Sequence, residues 1–165
     1  MRKEGTIVMT TDGIAVETER LRLYPVGDDA MRRLIDGEAD EELKQAYGEM
    51  LRGCIDHPAD RVWYAVWFIE RKDMPGTAVG DLSFKGKGPD GMVEIGYGLR
   101  SGCCGKGYMT EAVKAVCAWA LAQPGVTRVE AETEPDNAAS QRVLARAGFI
   151  PTGTVGAEGP RFVLR

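Results

Sequence analysis

The apolar positions of the first third of the chain change period once. Residues 6–10 and 14–18 are rich in β-branched and apolar side chains and flank Thr11-Asp12-Gly13, which predicts a hairpin. Residues 20–26 alternate as Arg20, Leu21, Arg22, Leu23 and Tyr24, a strand with one buried face that Pro25 and Gly27 close. The spacing then lengthens to that of a helix. Ala30, Met31, Leu34 and Ile35 share one side of a segment from Asp28, placed to cap it, to about Asp36. A second helix over about 40–56 carries Leu43, Ala46, Tyr47, Met50, Leu51 and Cys54.

Strand patterns follow. Residues 62–70 hold the aromatic and β-branched side chains of a central strand. Strands over 78–85 and 92–100 are joined by the glycine-rich turn 86–91. A helix over about 107–123 is apolar almost all round, which implies burial on more than one side, and Pro124-Gly125 stops it. Residues 126–134 form a strand, Pro135-Asp136-Asn137 opens a helix that Gly148 ends, and 149–155 and 161–164 are short strands. The expected fold is mixed α/β (α+β): a mostly antiparallel sheet of about six to seven strands with about four helices. The unit 92–134 is expected as a right-handed parallel crossover. The chain reads as one domain over 1–165, with an extra N-terminal hairpin over 1–18.

Composition narrows the function. A net charge of −4 and a pI near 5.2 argue against a general nucleic-acid binder. No basic amphipathic stretch suggests a membrane surface, and the start fits no signal peptide, so a cytoplasmic protein is expected. Cys54, Cys103, Cys104 and Cys117 form no C-x-x-C pair, and the single histidine, His57, has no ligand-spaced partner. No metal is expected.

The run Cys104-Gly105-Lys106-Gly107-Tyr108-Met109-Thr110-Glu111-Ala112 joins a strand to the apolar helix. Glycines there let a ligand approach the backbone, and the first helical N–H groups form a seat for phosphate. A P-loop needs Ser or Thr after Gly-Lys, where Gly107 stands, and the spacing G-x-G-x-x-G does not start at Gly102, Gly105 or Gly107. Nucleotide hydrolysis and dinucleotide redox chemistry are therefore disfavoured.

Val93-Glu94-Ile95-Gly96-Tyr97-Gly98-Leu99-Arg100 together with Gly105–Ala112 resembles the acyl-CoA-binding core of the GNAT N-acetyltransferase superfamily, and most of all its RimJ/RimL-type branch. Pro135-Asp136-Asn137-Ala138-Ala139-Ser140, Val143-Leu144, Gly148-Phe149, Val79-Gly80-Asp81-Leu82 and Glu19-Arg20-Leu21-Arg22-Leu23 fit the same branch. The resemblance covers about residue 17 to the C-terminus. Two positions depart from the pattern. Cys104 stands where the superfamily usually has Gln or Arg, and Leu144 stands where many members carry a Tyr acid.

The resemblance implies acetyl-CoA as co-substrate and transfer of its acetyl group to a primary amine by direct attack. The amine belongs to a protein N-terminus or a small molecule. Two central strands would splay apart at the cofactor, and a backbone N–H near Leu99 or Arg100 would polarise the thioester carbonyl. The pyrophosphate would meet Gly105, Lys106, Gly107, Tyr108, Met109 and Thr110. Asn137 either holds the pantetheine arm or caps its helix. Ser140 either returns a proton to the CoA thiolate or is a first-turn hydroxyl. Glu94 is the first candidate for the base that deprotonates the amine, its other reading being a partner for an Arg or backbone group. Glu132 and Glu134 are weaker candidates. A monomer or homodimer is expected, and the alternative to an enzyme is a non-catalytic acyl-CoA sensor on the same scaffold.

Overall fold

The computed structural model describes residues 5–10, 13–100 and 102–165. Its nine strands form one sheet in the order β1-β2-β3-β4-β5-β6-β7-β9-β8. In sequence they are β1 (Thr6–Thr10), β2 (Gly13–Glu17), β3 (Leu21–Pro25), β4 (Val66–Arg71), β5 (Ala78–Lys87), β6 (Met92–Leu99), β7 (Arg128–Glu132), β8 (Ile150–Val155) and β9 (Pro160–Leu164). The helices are α1 (Asp28–Gly37), α2 (Glu41–Asp56), α3 (Tyr108–Leu121) and α4 (Ala138–Arg146). Seven strands belong to the sheet expected from the pattern, and the β1–β2 hairpin extends it to nine. Thr11 and Asp12 of the predicted hairpin turn lie outside the described residues. The matched pairs Thr6↔Glu17 and Thr10↔Gly13 set the hairpin's register.

All strand pairs are antiparallel except β6 and β7, which run parallel on either side of α3. Cross-strand partners share a face, so two layers follow from the register. Trp67, Leu82 and Tyr97 stand side by side on one face. There Trp63, Trp67, Phe84 and Trp119 pack ring against ring at 5.0–6.3 Å under α3. Helix α3 buries Met109, Ala112, Val113, Val116, Cys117 and Ala120, which accounts for its nearly unbroken apolar sequence. On the opposite face, α1 and α2 cover Val66, Ala65 and Val26, with Phe68 packed at the edge of that cluster, and Asp81, Ser83, Gly96 and Gly98 continue the same face along β5 and β6.

Two expectations are corrected. Residues 58–63 form a 3-10 helix, begun by Pro58, before the strand starts at Val66; Trp67 Nε1 fixes this turn by donating to Val62 O at 2.9 Å. Asp28 is the first residue of α1 and not its cap, and its carboxylate accepts from Arg61 at 2.6 Å. Asp40 does cap α2, accepting from the N–H groups of Glu42 and Leu43.

Strands β5 and β6 approach closely at Gly80. A Cβ there would lie 2.5 Å from Gly98 O and 3.1 Å from Leu99 Cα, both backbone atoms. Gly80→Ala is expected to lower stability by about 2 kcal/mol. Gly96→Ala, whose Cβ would meet nothing within 4 Å, is expected to melt within a few degrees of wild type. Thermal denaturation of the two variants checks both.

Candidate functional site

The site begins where two neighbouring strands part. β6 and β7 pair through Met92↔Arg128, Val93↔Val129 and Glu94↔Glu130, and no further. Arg100 N–H donates to Val79 O at 2.8 Å. By alternation, Gly98 and Gly96 also direct their N–H and C=O groups to β5, while those of Tyr97 and Leu99 point to the side that β7 has left. Of the two N–H groups expected there, that of Leu99 is the one turned to the open side. That of Arg100 is already used.

The opening is a cleft of about 280 Å³ lined by Ile95, Gly96 and Tyr97 on β6, Glu132, Thr133 and Glu134 at the end of β7, Asn137 and Ser140 at the start of α4, and Glu158. Ser140 and Asn137, both candidates from the sequence, line this one cleft. Asn137 Oδ1 caps α4 by accepting from Ser140 N–H at 3.1 Å, which leaves its amide nitrogen for the cleft. Ser140 Oγ lies 2.9 Å from Tyr97 Oη. Tyr97 is a residue the sequence reading missed, because its alternation placed it with the core. Burial pushes the Tyr97 hydroxyl above its usual range, against an opposing hydrogen bond from Ser140.

At the end of β6 the chain turns through Gly105 (φ +79°) and Gly107 (φ +77°), left-handed conformations that favour glycine. Gly107 is the N-cap of α3 and supplies no side-chain cap, so the first N–H groups of α3 are left for something else. Tyr108 and Met109 bury their side chains, Thr110 is half-buried, and the Lys106 side chain is exposed.

Arg20 holds this turn in place. Its guanidinium bonds Glu111 and Lys106 O, and lies 4.6 Å above the Tyr108 ring. Glu111 also accepts from Thr18 Oγ1 at 2.6 Å. Burial would push the Glu111 carboxyl up, but the hydrogen bonds from Thr18 and Arg20 outweigh it and hold it below the usual range.

Glu94 goes elsewhere. It faces away from Tyr97 and is bound by Lys85 at 2.5 Å and Arg161 at 2.8 Å. Arg161 also holds Glu130 and Glu132, and Glu132 accepts from the N–H of Glu158. Burial favours the protonated form of Glu94, but Lys85 and Arg161 overcome it and the carboxyl is held low. Arg161 thus joins three strands through carboxylates on the same face. Glu134 is exposed at the mouth of the cleft.

One polar atom in this region lacks a partner. The Thr133 hydroxyl is buried, with its residue 4% exposed, and makes no hydrogen bond. An orphaned hydroxyl costs about 1–3 kcal/mol unless a ligand supplies a partner. The free β6 groups, this hydroxyl and the uncapped α3 terminus are polar groups of the kind that suit an extended amide-bearing chain ending in phosphates. Among the described residues no cluster of His, Cys, Asp or Glu is arranged for a metal, and no helix is long and apolar enough to cross a membrane.

Comparison with known proteins points the same way. The family described as Acetyltransferase (GNAT) domain matches residues 17–150, leaving out the β1–β2 hairpin. YjdG, an uncharacterized N-acetyltransferase of Bacillus subtilis (strain 168), is 41% identical over 86 residues, 51% of this chain and 50% of its own. The chain therefore spans about half the length of that relative. YoaA of the same organism, also an uncharacterized N-acetyltransferase, is 24% identical over 85% of both chains. Among solved structures, the ribosomal-protein-S5-alanine acetyltransferase of Vibrio fischeri superposes with a TM-score of 0.69 at 18% identity, covering 90% of this chain and 93% of its own. Aminoglycoside acetyltransferase AAC(6')-Ib, solved with coenzyme A, gives 0.62 at 18% identity over 87% and 94%. At these identities the structures establish the shared fold.

The ionic cluster generates a pH prediction. Glu94 is held below its ordinary value of 4.5 in the folded chain, so its stabilisation is complete above that value and is lost as pH falls through the lower folded one. Arg161→Met would leave Glu94, Glu130 and Glu132 facing one another without their shared cation. It is expected to cost about 3 kcal/mol at pH 7 and progressively less as the pH drops toward 4. Urea denaturation across that range checks both the size and the trend.

Proposed function

Because the chain belongs to the GNAT acetyltransferase family, we propose that it is an acetyl-CoA-dependent N-acetyltransferase acting on a primary amine. The observation that carries this reading is the parting of β6 from β7 beside the uncapped α3 terminus. In this reading acetyl-CoA supplies the activated acyl group as its thioester. The N–H groups from Gly105 to Thr110 receive the pyrophosphate, where the α3 dipole favours negative charge. The free groups of Tyr97 and Leu99 pair with the pantetheine amides, and the Asn137 amide and Thr133 hydroxyl add side-chain contacts. A fixed backbone N–H on β6, that of Leu99, stabilises charge developing on the thioester oxygen.

The attack is direct. The amine nitrogen bonds to the carbonyl carbon, the carbon–sulfur bond breaks, and the sulfur leaves as a thiolate. In this reading Ser140, in contact with the raised Tyr97 hydroxyl, returns a proton to that sulfur and Tyr97 relays one to Ser140. Glu94 fits the base poorly, since Lys85 and Arg161 hold its carboxyl low and occupied. Its role in this reading is to keep the Arg161 cluster together under the cleft. The acceptor is a protein N-terminus or a small-molecule amine, classes that the names of the ribosomal-protein and aminoglycoside acetyltransferases also span.

Release of free CoA, followed with a thiol reagent across peptide N-termini and aminoglycosides, tests the function. Turnover with at least one amine is expected, and stabilisation by acetyl-CoA without any turnover would leave a sensor in its place. Ser140→Ala is expected to lower kcat about 10–100-fold with little change in acetyl-CoA affinity. Thr133→Val, which removes the orphaned hydroxyl but keeps its shape, is expected to raise the melting temperature of the free chain and weaken acetyl-CoA binding. Calorimetry and thermal melts read both effects.

A further inference from the structure

Six carboxylates are carried on the strands among the described residues: Glu17, Glu70, Asp81, Glu94, Glu130 and Glu132. Five are engaged. Glu17 pairs with Arg22 and Lys72, and Glu70 accepts from Tyr24 and Gly76 N–H. Glu94, Glu130 and Glu132 share Arg161. Asp81 alone is half-buried with no hydrogen-bond or ion-pair partner among the described residues. A carboxylate kept partly dry and unpaired is costly to a fold, and that cost asks for a reason.

Its surroundings supply one. Asp81 lies opposite Phe68 on β4 and Gly98 on β6, on the face turned toward α2. Gly96 and Gly98 form a bare floor beside it, since a Cβ on either would meet nothing within 4 Å. Only the backbone of Gly98 separates Asp81 from the line of Tyr97 and Leu99 groups that borders the cleft. Adjacent strands are about 4.8 Å apart, a span that one water bridges between a carboxylate and an amine. The Asp81 charge adds to burial in raising the Tyr47 hydroxyl of α2, and the Arg100 charge after β6 acts on Asp81.

Resting on the acetyltransferase reading, we propose that Asp81 is the acceptor-binding carboxylate: it receives the protonated primary amine over the Gly96–Gly98 floor and takes its proton, directly or through one water, before the nitrogen attacks. The proton passes from the ammonium nitrogen to the carboxylate, and the freed lone pair forms the new bond to carbon. The site therefore takes cationic amines, with Tyr47 and Phe68 as walls for the carbon chain behind the nitrogen. Burial raises the Asp81 carboxyl above its usual range and the Arg100 charge only partly opposes this, which makes it a better base than the Glu94 carboxyl. Burial raises the Tyr47 hydroxyl, with the Asp81 and Glu38 charges adding to it, so Asp81, Tyr47, Arg100 and Glu38 are the titratable and charged groups gathered here.

A raised carboxyl also reverses the usual stability argument. The folded chain holds the Asp81 proton more tightly than the unfolded one, so at neutral pH the charged group destabilises the fold, and the penalty fades as pH falls through the folded value. Asp81→Asn is thus expected to melt at or above wild type. A residue with a purely structural role would do the opposite.

The test follows the Asp81 side-chain carbon by NMR in carboxyl-labelled protein with CoA bound, assigned by its loss in Asp81→Asn. A serine-initiated peptide and kanamycin serve as amine probes. Adding one of them is expected to shift the Asp81 resonance and lower its titration midpoint. Asp81→Asn is expected to lower kcat/KM for the amine by about 10²-fold or more, to leave KM for acetyl-CoA within about twofold, and to remove the acid-side inflection that belongs to the enzyme. The proposal is overturned if neither probe moves the resonance, or if Asp81→Asn keeps wild-type kcat/KM and its acid limb. If the probe moves the resonance but wild type turns over no amine, acetyl transfer falls and the amine site stands.

Discussion

The whole arrangement depends on a pairing that stops early. Parallel hydrogen bonding between β6 and β7 holds for three residue pairs and then ends at Glu94 and Glu130. Below that point the two strands are part of one sheet, locked by Arg161 to three carboxylates. Above it they diverge, and α3 and α4 enter from the strand ends. A continuous ladder would occupy the backbone groups of Tyr97 and Leu99, and there would be no cleft for Ser140, Asn137 and Thr133 to line. The ionic cluster fixes where the ladder ends, because it ties Lys85, Glu94, Glu130 and Arg161 across four strands at the last paired level.

A second brace serves the other end of the site. Arg20 reaches from the start of β3 to Glu111 and to the carbonyl of Lys106, and covers the Tyr108 ring. It restrains a turn whose glycines would otherwise be free to wander. The turn keeps its N–H groups pointing outward because other groups hold its carbonyls and its first acidic side chain. Recognition by backbone N–H groups depends on such fixing, since every degree of freedom left to the turn weakens each bond it makes.

Much of this was legible in the sequence. The change of period from two to 3.6 marked the helices, and the almost uniformly apolar stretch 108–121 announced a helix buried on several sides. The glycine turn and Asn137 with Ser140 were recognisable because their chemistry is local. The strand expected from residue 62 begins only at Val66, since aromatic and β-branched side chains suit a strand and the end of a 3-10 turn alike. Glu94 illustrates a different limit. An Arg partner was one of its two readings, but that partner, Arg161, is 67 residues away and no local pattern announces it. Arg20 and Glu111 are 91 residues apart. Asp81 is the hardest case, because what distinguishes it is the lack of a partner, and that is a property of all its neighbours at once.

Sheets ordinarily have two edges, and those here are β1 and β8. The early end of the β6–β7 ladder adds a third inside the sheet, a row of extended backbone without a neighbour. In most proteins such a row is a hazard, because any extended chain can add to it as a strand. Here Ser140, Asn137 and the β8–β9 turn stand around it and admit only something slender. In the acetyltransferase reading, a slim chain bearing amides would complete the sheet as a surrogate strand, so the gap that selects the donor would also protect the protein from its own kind.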